Sequence, residues 1–204
     1  MEQLALNSQN TSPYYNCRPP HGKIKTMKKK IIFLDGDGTL WYPTTTKRTE
    51  RSDWIYNDPL TKDNHLVHLS LTPGTREALK VLKEKGIYLV VVSANPYSGK
   101  KAVKEITNRL DYFELSDFFY SCRASVGGDP NGKVPIILDT IKELNLTKED
   151  ALMVGDNYFY DYSAPMEAGI DALFIENGVS KMPDEIPTDM KTIKEVSDLV
   201  DMID

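Results

Sequence analysis

Residues 31–40 read IIFLDGDGTL and give the first indication of the fold. Four consecutive apolar residues followed by a turn rich in Gly and Asp are typical of a strand buried on both faces of a parallel sheet. The glycines let the backbone turn tightly and approach a ligand closely. We therefore predict a strand over 31–34 that ends at two carboxylates, Asp35 and Asp37.

Beyond residue 30, short β-branched runs alternate with amphipathic stretches, a pattern typical of βα units that build a parallel sheet. This alternation predicts a doubly wound, Rossmann-like α/β fold with helices on both faces of the sheet. Further strands are predicted at 88–92, 118–120, 151–154 and 172–175, and helices at 75–85, around 103–110, and at 134–144, 162–168 and 193–202.

Composition limits the function classes. The chain has 204 residues, 40% hydrophobic and 27% charged, which suits one globular domain with a proper core. A net charge of −5 provides no overall positive field to attract nucleic acid or an anionic membrane, so neither is an expected partner. The apolar runs are far shorter than the roughly 20 residues that a membrane helix needs.

The first 27 residues lack apolar periodicity and are predicted to be a disordered tail before a domain at 28–204. Because Met27 directly precedes the basic stretch 28–30 and the first strand, a chain beginning at Met27 is predicted to keep the fold and the activity. The tail does not resemble a secretory signal, and Cys17 and Cys122 are too few for a disulfide framework. These observations favour a cytoplasmic protein.

Residues 41–72 interrupt the alternation, because they separate the first strand from its helix by far more than the usual 2–6 residues. Two interpretations stay open: a small flap over the carboxyl end of the strand, or a surface excursion without a role. The aromatic residues Trp41, Tyr42, Trp54 and Tyr56 suit either substrate stacking or packing in the core or the flap. His65 and His68 lack metal-ligand spacing and are expected at the surface.

Polar side chains also follow the other predicted strands. Ser93 and Asn95 follow the second, Asp156 and Asp161 follow the fourth, and Lys133 precedes the helix between the third and fourth strands. Several carboxylates at one crevice repel one another unless a hard cation neutralises them, and oxygen ligands suit Mg²⁺. A cation, a lysine and a hydroxyl together can bind a phosphoryl group, which favours phosphoryl-transfer chemistry.

Four segments together resemble the motifs of the haloacid dehalogenase superfamily. Residues 33–40, FLDGDGTL, resemble its first motif; Ser93 resembles the second, Lys133 the third, and residues 155–161, GDNYFYD, the fourth. Each motif alone is a weak signal, since Asp and Gly are also common turn formers. The four occur in the family's order across residues 30–178, on the predicted elements that the family uses.

The resemblance implies a role for each matching residue. Asp35 is the expected nucleophile, which forms an aspartyl-phosphate and also binds Mg²⁺. Asp37 is the expected general acid and then general base, with its backbone carbonyl on the metal. Asp156 is an expected metal ligand, and Asp161 is expected to bind the metal directly or through water.

The remaining site residues are expected to bind the phosphoryl group. The resemblance gives Ser93 a hydrogen bond to a phosphoryl oxygen and gives Lys133 the neutralisation of charge on the nucleophile and the transferred group. Lys100 and Lys101 lie close enough in sequence to Ser93 to be alternatives to Lys133. Further phosphate-binding candidates are Gly38, Thr39 and Asn95.

The second aspartate, Asp37, favours phosphate chemistry, because true dehalogenases of the superfamily lack it. The short insertion at 41–72 resembles the capless magnesium-dependent phosphatase branch, with a small or absent cap and a rather open site. The expected activity is therefore Mg²⁺-dependent hydrolysis of a phosphomonoester, with a small phosphorylated substrate or a phosphoprotein as partner. The alternatives are a phosphotransferase or phosphomutase, and a non-catalytic binding protein on the same fold.

Overall fold

A computed structural model describes residues 26–204 of the chain. The predicted tail falls almost entirely on residues 1–25, outside the described part, as does Cys17. Its last residue, Met27, is paired with the other end of the domain: its N–H donates to the Met202 carbonyl at 2.7 Å, and its carbonyl accepts from the Asp204 N–H at 3.1 Å. Met27 therefore belongs to the described fold, one residue before the predicted domain start at 28.

The core is a six-stranded parallel sheet, and two further strands form a separate antiparallel sheet. The strands are β1 (Ile31–Leu34), β2 (Trp41–Pro43), β3 (Leu69–Leu71), β4 (Tyr88–Asn95), β5 (Ser121–Val126), β6 (Ala151–Gly155), β7 (Asp171–Ile175) and β8 (Thr192–Ile193). In the sheet they follow the order β5-β4-β1-β6-β7-β8, and each neighbouring pair is parallel.

Helices cover both faces of the sheet: α1 (Thr75–Glu84), α2 (Gly99–Tyr112), α3 (Lys133–Glu143), α4 (Ala164–Glu167) and α5 (Leu199–Met202). In β1, Ile32 and Leu34 pack with apolar residues of α1, α2 and α5. Ile31 and Phe33 point the other way and pack with α3 and the segment before α4. All four side chains are fully buried, which explains their continuous apolar run. The predicted doubly wound α/β fold is confirmed.

The strand order places a topological switch point between β1 and β6. From β1 the chain builds outward through β4 and β5, then returns to the other side of β1 and builds β6, β7 and β8. The connections after β1 and after β6 therefore lead to opposite faces, which opens a crevice at the carboxyl ends of these two strands. Asp35 and Asp156 directly follow β1 and β6 at that crevice.

Residues 41–72 form a small ordered unit, called the flap below. Its stem is the antiparallel pair β2–β3, in register from Trp41 opposite Leu71 to Pro43 opposite Leu69. Two 3₁₀ segments, Ser52–Tyr56 and Lys62–His68, lie between the stem strands. Ile55 is fully buried and belongs to the core cluster that includes α1 and α2. The insertion therefore packs on the domain.

Two of the predicted elements are wrong. The strand predicted at 118–120 is shifted: a 3₁₀ turn covers Ser116–Phe118, and β5 starts at Ser121. Phe118 and Phe119 pack against the core from this irregular segment. Their apolar side chains explain why the sequence resembles a strand there. The helix predicted at 193–202 is instead β8, a 3₁₀ turn and the short α5.

The other elements differ from prediction mainly at their ends. Strand β4 continues three residues past 92, so Ser93 and Asn95 belong to the strand itself. The helix predicted at 162–168 begins earlier, as a π-helical segment over Tyr158–Ser163 that leads into α4. Within residues 26–204, no helix combines the length and the apolar character needed to cross a bilayer.

Candidate active site

A cavity of about 850 Å³ lies at the switch point, between the carboxyl ends of the strands and the flap. Its floor contains Asp35, Lys133 and Asp156, and the flap contributes Tyr56 and several charged residues to the opposite wall. This is the position at which open α/β sheets bind ligands.

Lys133 joins two carboxylates on the floor. Its Nζ lies 2.5 Å from Asp35 Oδ1 and 2.6 Å from Asp161 Oδ1. Asp35 follows β1, Lys133 opens α3, and Asp161 lies in the π-helical segment, so three separate elements meet here. Asp35, Lys133 and Asp161 are all buried, which places the three charges in a region of low effective dielectric.

The charges on the floor determine how these groups titrate. Burial alone would lower the pKa of Lys133, but the carboxylates of Asp161 and Asp35 outweigh it and raise that pKa, so the ammonium stays charged. Burial raises the pKa of Asp161 to about 6; Lys133 opposes this rise and the charge of Asp35 adds to it. One lysine therefore does not neutralise the carboxylates of the floor.

A third carboxylate completes a set of hard oxygen ligands. Asp35, Asp156 and Asp161 each offer an oxygen, and these three oxygens lie within 4.8 Å of one another. Burial raises the pKa of Asp156 well above its ordinary value, and the charges of Asp35 and Asp161 raise it further. Three carboxylates against one ammonium leave excess negative charge, and a divalent cation with a preference for oxygen fits that excess.

Two glycines make room for these carboxylates. Gly38 has φ +80°, a left-handed conformation that favours glycine, and a Cβ built there would collide with the Asp156 carboxylate. A Cβ on Gly155 would collide with the Asp161 carboxylate. The Asp156 side chain is further held by the Asn177 amide, which donates to Oδ2 at 2.5 Å. Side chains at either glycine would displace a candidate ligand.

The Asp37 carboxylate is bound on the flap side of the cavity. Its Oδ1 accepts hydrogen bonds from Tyr56 Oη at 2.5 Å and from Trp41 Nε1 at 3.2 Å. Burial raises the pKa of Asp37, and the Arg109 guanidinium opposes that rise. A carboxyl group with a raised pKa next to a candidate nucleophile suits general acid–base chemistry.

The predicted phosphate-binding residues fall into two groups. Gly38, Ser93, Asn95 and Lys133 all line the cavity. Thr39 does not: it is fully buried, its carbonyl accepts from the Thr72 hydroxyl, and its own hydroxyl has no partner among the described residues. The prediction that Thr39 binds phosphate is therefore the one that the geometry supports least.

The alternative lysines point elsewhere. Lys100 and Lys101 are exposed, and neither lines the cavity. The Lys101 ammonium instead lies 3.5 Å from the centroid of the Tyr97 ring. His65, expected at the surface, is half-buried and does line the cavity, with its ring edge-on to Tyr56 at 5.2 Å.

Some residues of the site gave no sequence signal, or only a weak one. The bond from Tyr56 to Asp37 arises from an irregular loop, and Arg109 lies on an amphipathic helix where a basic residue is normally solvated. Asn177 was within reach of prediction, because it follows β7 at the same edge of the sheet as Asp156.

Known proteins include relatives of this chain in sequence and in structure. Residues 27–175 match the model of the family described as haloacid dehalogenase-like hydrolase. The chain belongs to this family. The superfamily resemblance stated from the four motifs is thereby confirmed, and the match covers Asp35, Lys133, Asp156 and Asp161.

A curated relative adds detail. The chain is 33% identical over 146 residues to a phosphoglycolate phosphatase of Aquifex aeolicus (strain VF5). The similarity covers 70% of this chain and 63% of that protein, so the chain spans less than two thirds of its relative's length.

Solved structures agree on the fold. A protein from Listeria monocytogenes serotype 4b superposes with a TM-score of 0.62 at 20% identity, over 84% of this chain and 94% of that one. A predicted phosphoglycolate phosphatase from Haemophilus somnus 129pt gives 0.58 at 18% identity, over 84% and 96%. At these identities the likeness shows the shared architecture.

Proposed function

We propose that the protein is a Mg²⁺-dependent phosphomonoester hydrolase that works through an aspartyl-phosphate on Asp35. The observation that carries this proposal is the buried floor, where Asp35 contacts Lys133 and lies with two further carboxylates in a cluster 4.8 Å across. Asp37, two residues from the nucleophile, supplies a second carboxyl group with a different environment. Two carboxyl groups with distinct surroundings suit the two roles that the reaction needs.

In the first step, an Asp35 oxygen attacks phosphorus and the bond to the leaving oxygen breaks, while Asp37 donates a proton to that oxygen. In the second step, Asp37 takes a proton from water, the water oxygen attacks phosphorus, and the Asp35–phosphorus bond breaks. Lys133 neutralises charge on Asp35 and on the transferred group. The Ser93 hydroxyl and the Asn95 side chain line the wall on which the phosphoryl oxygens would be bound.

The metal site would be formed by Asp35, Asp156 and Asp161, with the Asp37 backbone carbonyl as a further ligand. A bound Mg²⁺ supplies positive charge that offsets the repulsion between the phosphoryl oxygens and the carboxylates. The donor set supports this ion, since Mg²⁺ is held by carboxylates and by substrate oxygens.

The small size of the flap supports the proposed capless type and an active site that is open to its substrate. The connection from β4 to β5 holds only α2 and one 3₁₀ turn, so the flap is the larger of the two insertions at the positions where the superfamily carries caps. We assign the chain to the capless magnesium-dependent type, acting in the cytoplasm on a small phosphorylated molecule or a phosphoprotein. The Aquifex relative makes phosphoglycolate a first candidate.

Release of inorganic phosphate tests the proposal. The panel is phosphoglycolate, phosphosugars, nucleotides, a phosphotyrosine peptide and 4-nitrophenyl phosphate, each with Mg²⁺ and with EDTA. Asp35→Asn should abolish turnover because an amide is not a nucleophile, whereas the control Asp139→Asn changes an exposed carboxylate of α3 and should be fully active.

Four outcomes would overturn the proposal. Turnover that is retained in Asp35→Asn would remove the covalent mechanism, and turnover retained in EDTA would remove the metal. Transfer to an added alcohol or sugar in preference to water would instead identify a phosphotransferase. Substrate binding without any turnover would identify a binding protein.

A further inference from the structure

The flap contributes a hydroxyl to the proposed general acid–base. Tyr56 Oη lies 2.5 Å from Asp37 Oδ1, and Trp41 Nε1 lies 3.2 Å from the same oxygen. The indole N–H is a donor only, so Oδ1 must act as an acceptor toward it. With two donors on Oδ1, the other oxygen of Asp37, Oδ2, is left to exchange a proton with a leaving group or water.

The Tyr56 ring is held from several sides. The Arg109 guanidinium lies 4.7 Å from the ring centroid, a cation–π distance, and the His65 ring stands edge-on at 5.2 Å. The preceding residue, Ile55, is fully buried in the core, and its carbonyl accepts from the Thr61 hydroxyl. The position of the Tyr56 hydroxyl is therefore set by packing as well as by its bond to Asp37.

Arg109 is an unusual residue for a helix that packs on a core. It is buried, its Nη1 donates to the Glu105 carbonyl at 2.6 Å, and its Nε has no protein partner among residues 26–204. Burying a guanidinium is costly unless other groups compensate for the lost water. The Tyr56 ring and the nearby negative charge of Asp37 provide that compensation.

We propose that Tyr56 and Arg109 are positioning residues for Asp37, and that the flap thereby orients the proton donor for the leaving group. Tyr56 fixes the carboxyl plane through Oδ1, and Arg109 fixes the Tyr56 ring. The inference rests on the proposed function, because it assigns a purpose to the flap within that same reaction. It gives residues 41–72 a role in the chemistry itself.

A purely structural role for the hydroxyl predicts a different kinetic result. If Tyr56 only stabilised the flap, its loss would slow all substrates by the same factor. If it orients the proton donor, its loss matters most where the leaving oxygen needs a proton, as in alkyl phosphates. A nitrophenolate leaves without such help, so its ester should be affected least.

The experiment measures kcat/KM for Tyr56→Phe and wild type on a series from 4-nitrophenyl phosphate through phenyl phosphate to an alkyl phosphate. This ratio reports only the steps up to release of the first product. Among them is the cleavage of the bond to the leaving oxygen, which is the step that needs the proton donor. We expect a loss of about twofold for the nitrophenyl ester and about 10- to 100-fold for the alkyl ester. A plot of log kcat/KM against the pKa of the leaving group should become steeper.

Phenylalanine keeps the ring that contacts Arg109 and His65, so the variant should fold, and its melting temperature checks this. Tyr42→Phe is the matched control: it removes a hydroxyl from the same cavity wall, on β2, without touching Asp37, and should leave the slope unchanged. Arg109→Met should also steepen the slope, and the double variant should be no worse than Tyr56→Phe alone, because both changes act through one group.

An equal loss across the series, or no loss at all, would overturn the inference while leaving the hydrolase intact. Wild-type protein that releases no phosphate from any member of the series would instead overturn the proposed function, and the inference with it. A steeper slope in Tyr42→Phe would show that the effect belongs to the flap in general and would also overturn the role of Tyr56.

Discussion

The two carboxyl groups central to the proposed reaction are held in contrasting ways. On the floor of the cavity, Asp35 shares a fully charged, buried partner, Lys133, with Asp161. On the flap side, Asp37 accepts from two neutral donors, the Tyr56 hydroxyl and the Trp41 indole. The first arrangement pairs buried carboxylates with a cation, whereas the second surrounds a buried carboxyl group with neutral donors, and burial raises the pKa of that group, Asp37.

The contrast also separates the elements that supply each part. The floor residues lie at the ends of strands and at the starts of helical segments. These strands and helices pack together in the core. The flap side depends on an irregular insertion whose Tyr56 lies in a 3₁₀ segment. The difference teaches that the charge pairing lies among elements of the sheet domain, whereas the contacts of the proposed proton donor come from an irregular insertion that packs on that domain.

Breaking the floor should have the largest effect. Lys133→Met leaves the Asp35 and Asp161 carboxylates buried together without their cation. We expect phosphate release to fall by at least about 100-fold and stability to fall by about 3–5 kcal/mol at pH 8 in EDTA. Urea unfolding measures the second effect. Lys142→Met, at an exposed position of the same helix, is the control, and a Lys133→Met protein as stable as wild type would show that the floor is not charged as described.

The second-largest effect is expected for Mg²⁺ binding, which should depend on the carboxylates of the floor and not on the Asp37 side chain. An ion bound only to the folded state at ten times its dissociation constant should stabilise it by about 1.4 kcal/mol. Asp156→Asn should lose that gain, because it removes one of the three clustered carboxylates. Asp37→Asn should keep it, since its side chain bonds to the flap and its backbone is unchanged. Thermal melts with and without Mg²⁺ compare them, and equal gains in both variants would contradict the ligand set.

The pH dependence of stability sharpens the electrostatic part of the contrast. Because the pKa of Asp161 is raised to about 6, the folded protein keeps a proton that the unfolded chain has released above about pH 4. In EDTA, the free energy of unfolding should therefore fall as pH rises from about 4 to 6, by about 1–3 kcal/mol.

Urea unfolding at a series of pH values measures this slope. Asp161→Asn should reduce it, leaving the part that the raised pKa values of Asp156 and Asp37 contribute. Saturating Mg²⁺ should also reduce it, because the ion favours the charged carboxylates. Tyr56→Phe, on the flap side, should not flatten the slope, because the hydroxyl that it removes holds the pKa of Asp37 down. An unchanged slope in Asp161→Asn would show that another group is responsible.

The smallest effect is expected from the outer flap. Lys62 is exposed and lines the cavity, so its charge can attract an anionic substrate through water. Lys62→Ala should raise KM about two- to fivefold at low salt with kcat unchanged, and salt should remove the difference. Lys80→Ala, on the exposed face of α1, is the control. A fall in kcat would instead indicate that the Lys62 side chain itself takes part in turnover.

The sequence predicted those features that depend on local rules. The run at 31–34 predicted a strand buried on both faces, and the polar residues after β1 and β6 lie together because parallel strands end at one edge. The strand predicted at 118–120 is wrong because Phe118 and Phe119 pack against the core from an irregular turn. In such a turn, the spacing of apolar residues does not indicate the secondary structure. Tyr56 and Arg109 meet only through tertiary packing, so no spacing along the chain could have paired them.

The pairing of Met27 with Ile203 has a practical consequence. Both residues lie at the amino ends of the central strands, where Lys85, just before β4, donates to the Ile203 carbonyl. The domain thus enters and leaves on the side opposite the crevice, through adjacent backbone segments. In a chain that begins at residue 26, a fusion partner attached there or after Asp204 would leave the cavity mouth open. In the same shortened chain, a short linker from 204 to 26 would allow circular permutation, with new termini in an exposed loop such as residues 145–149.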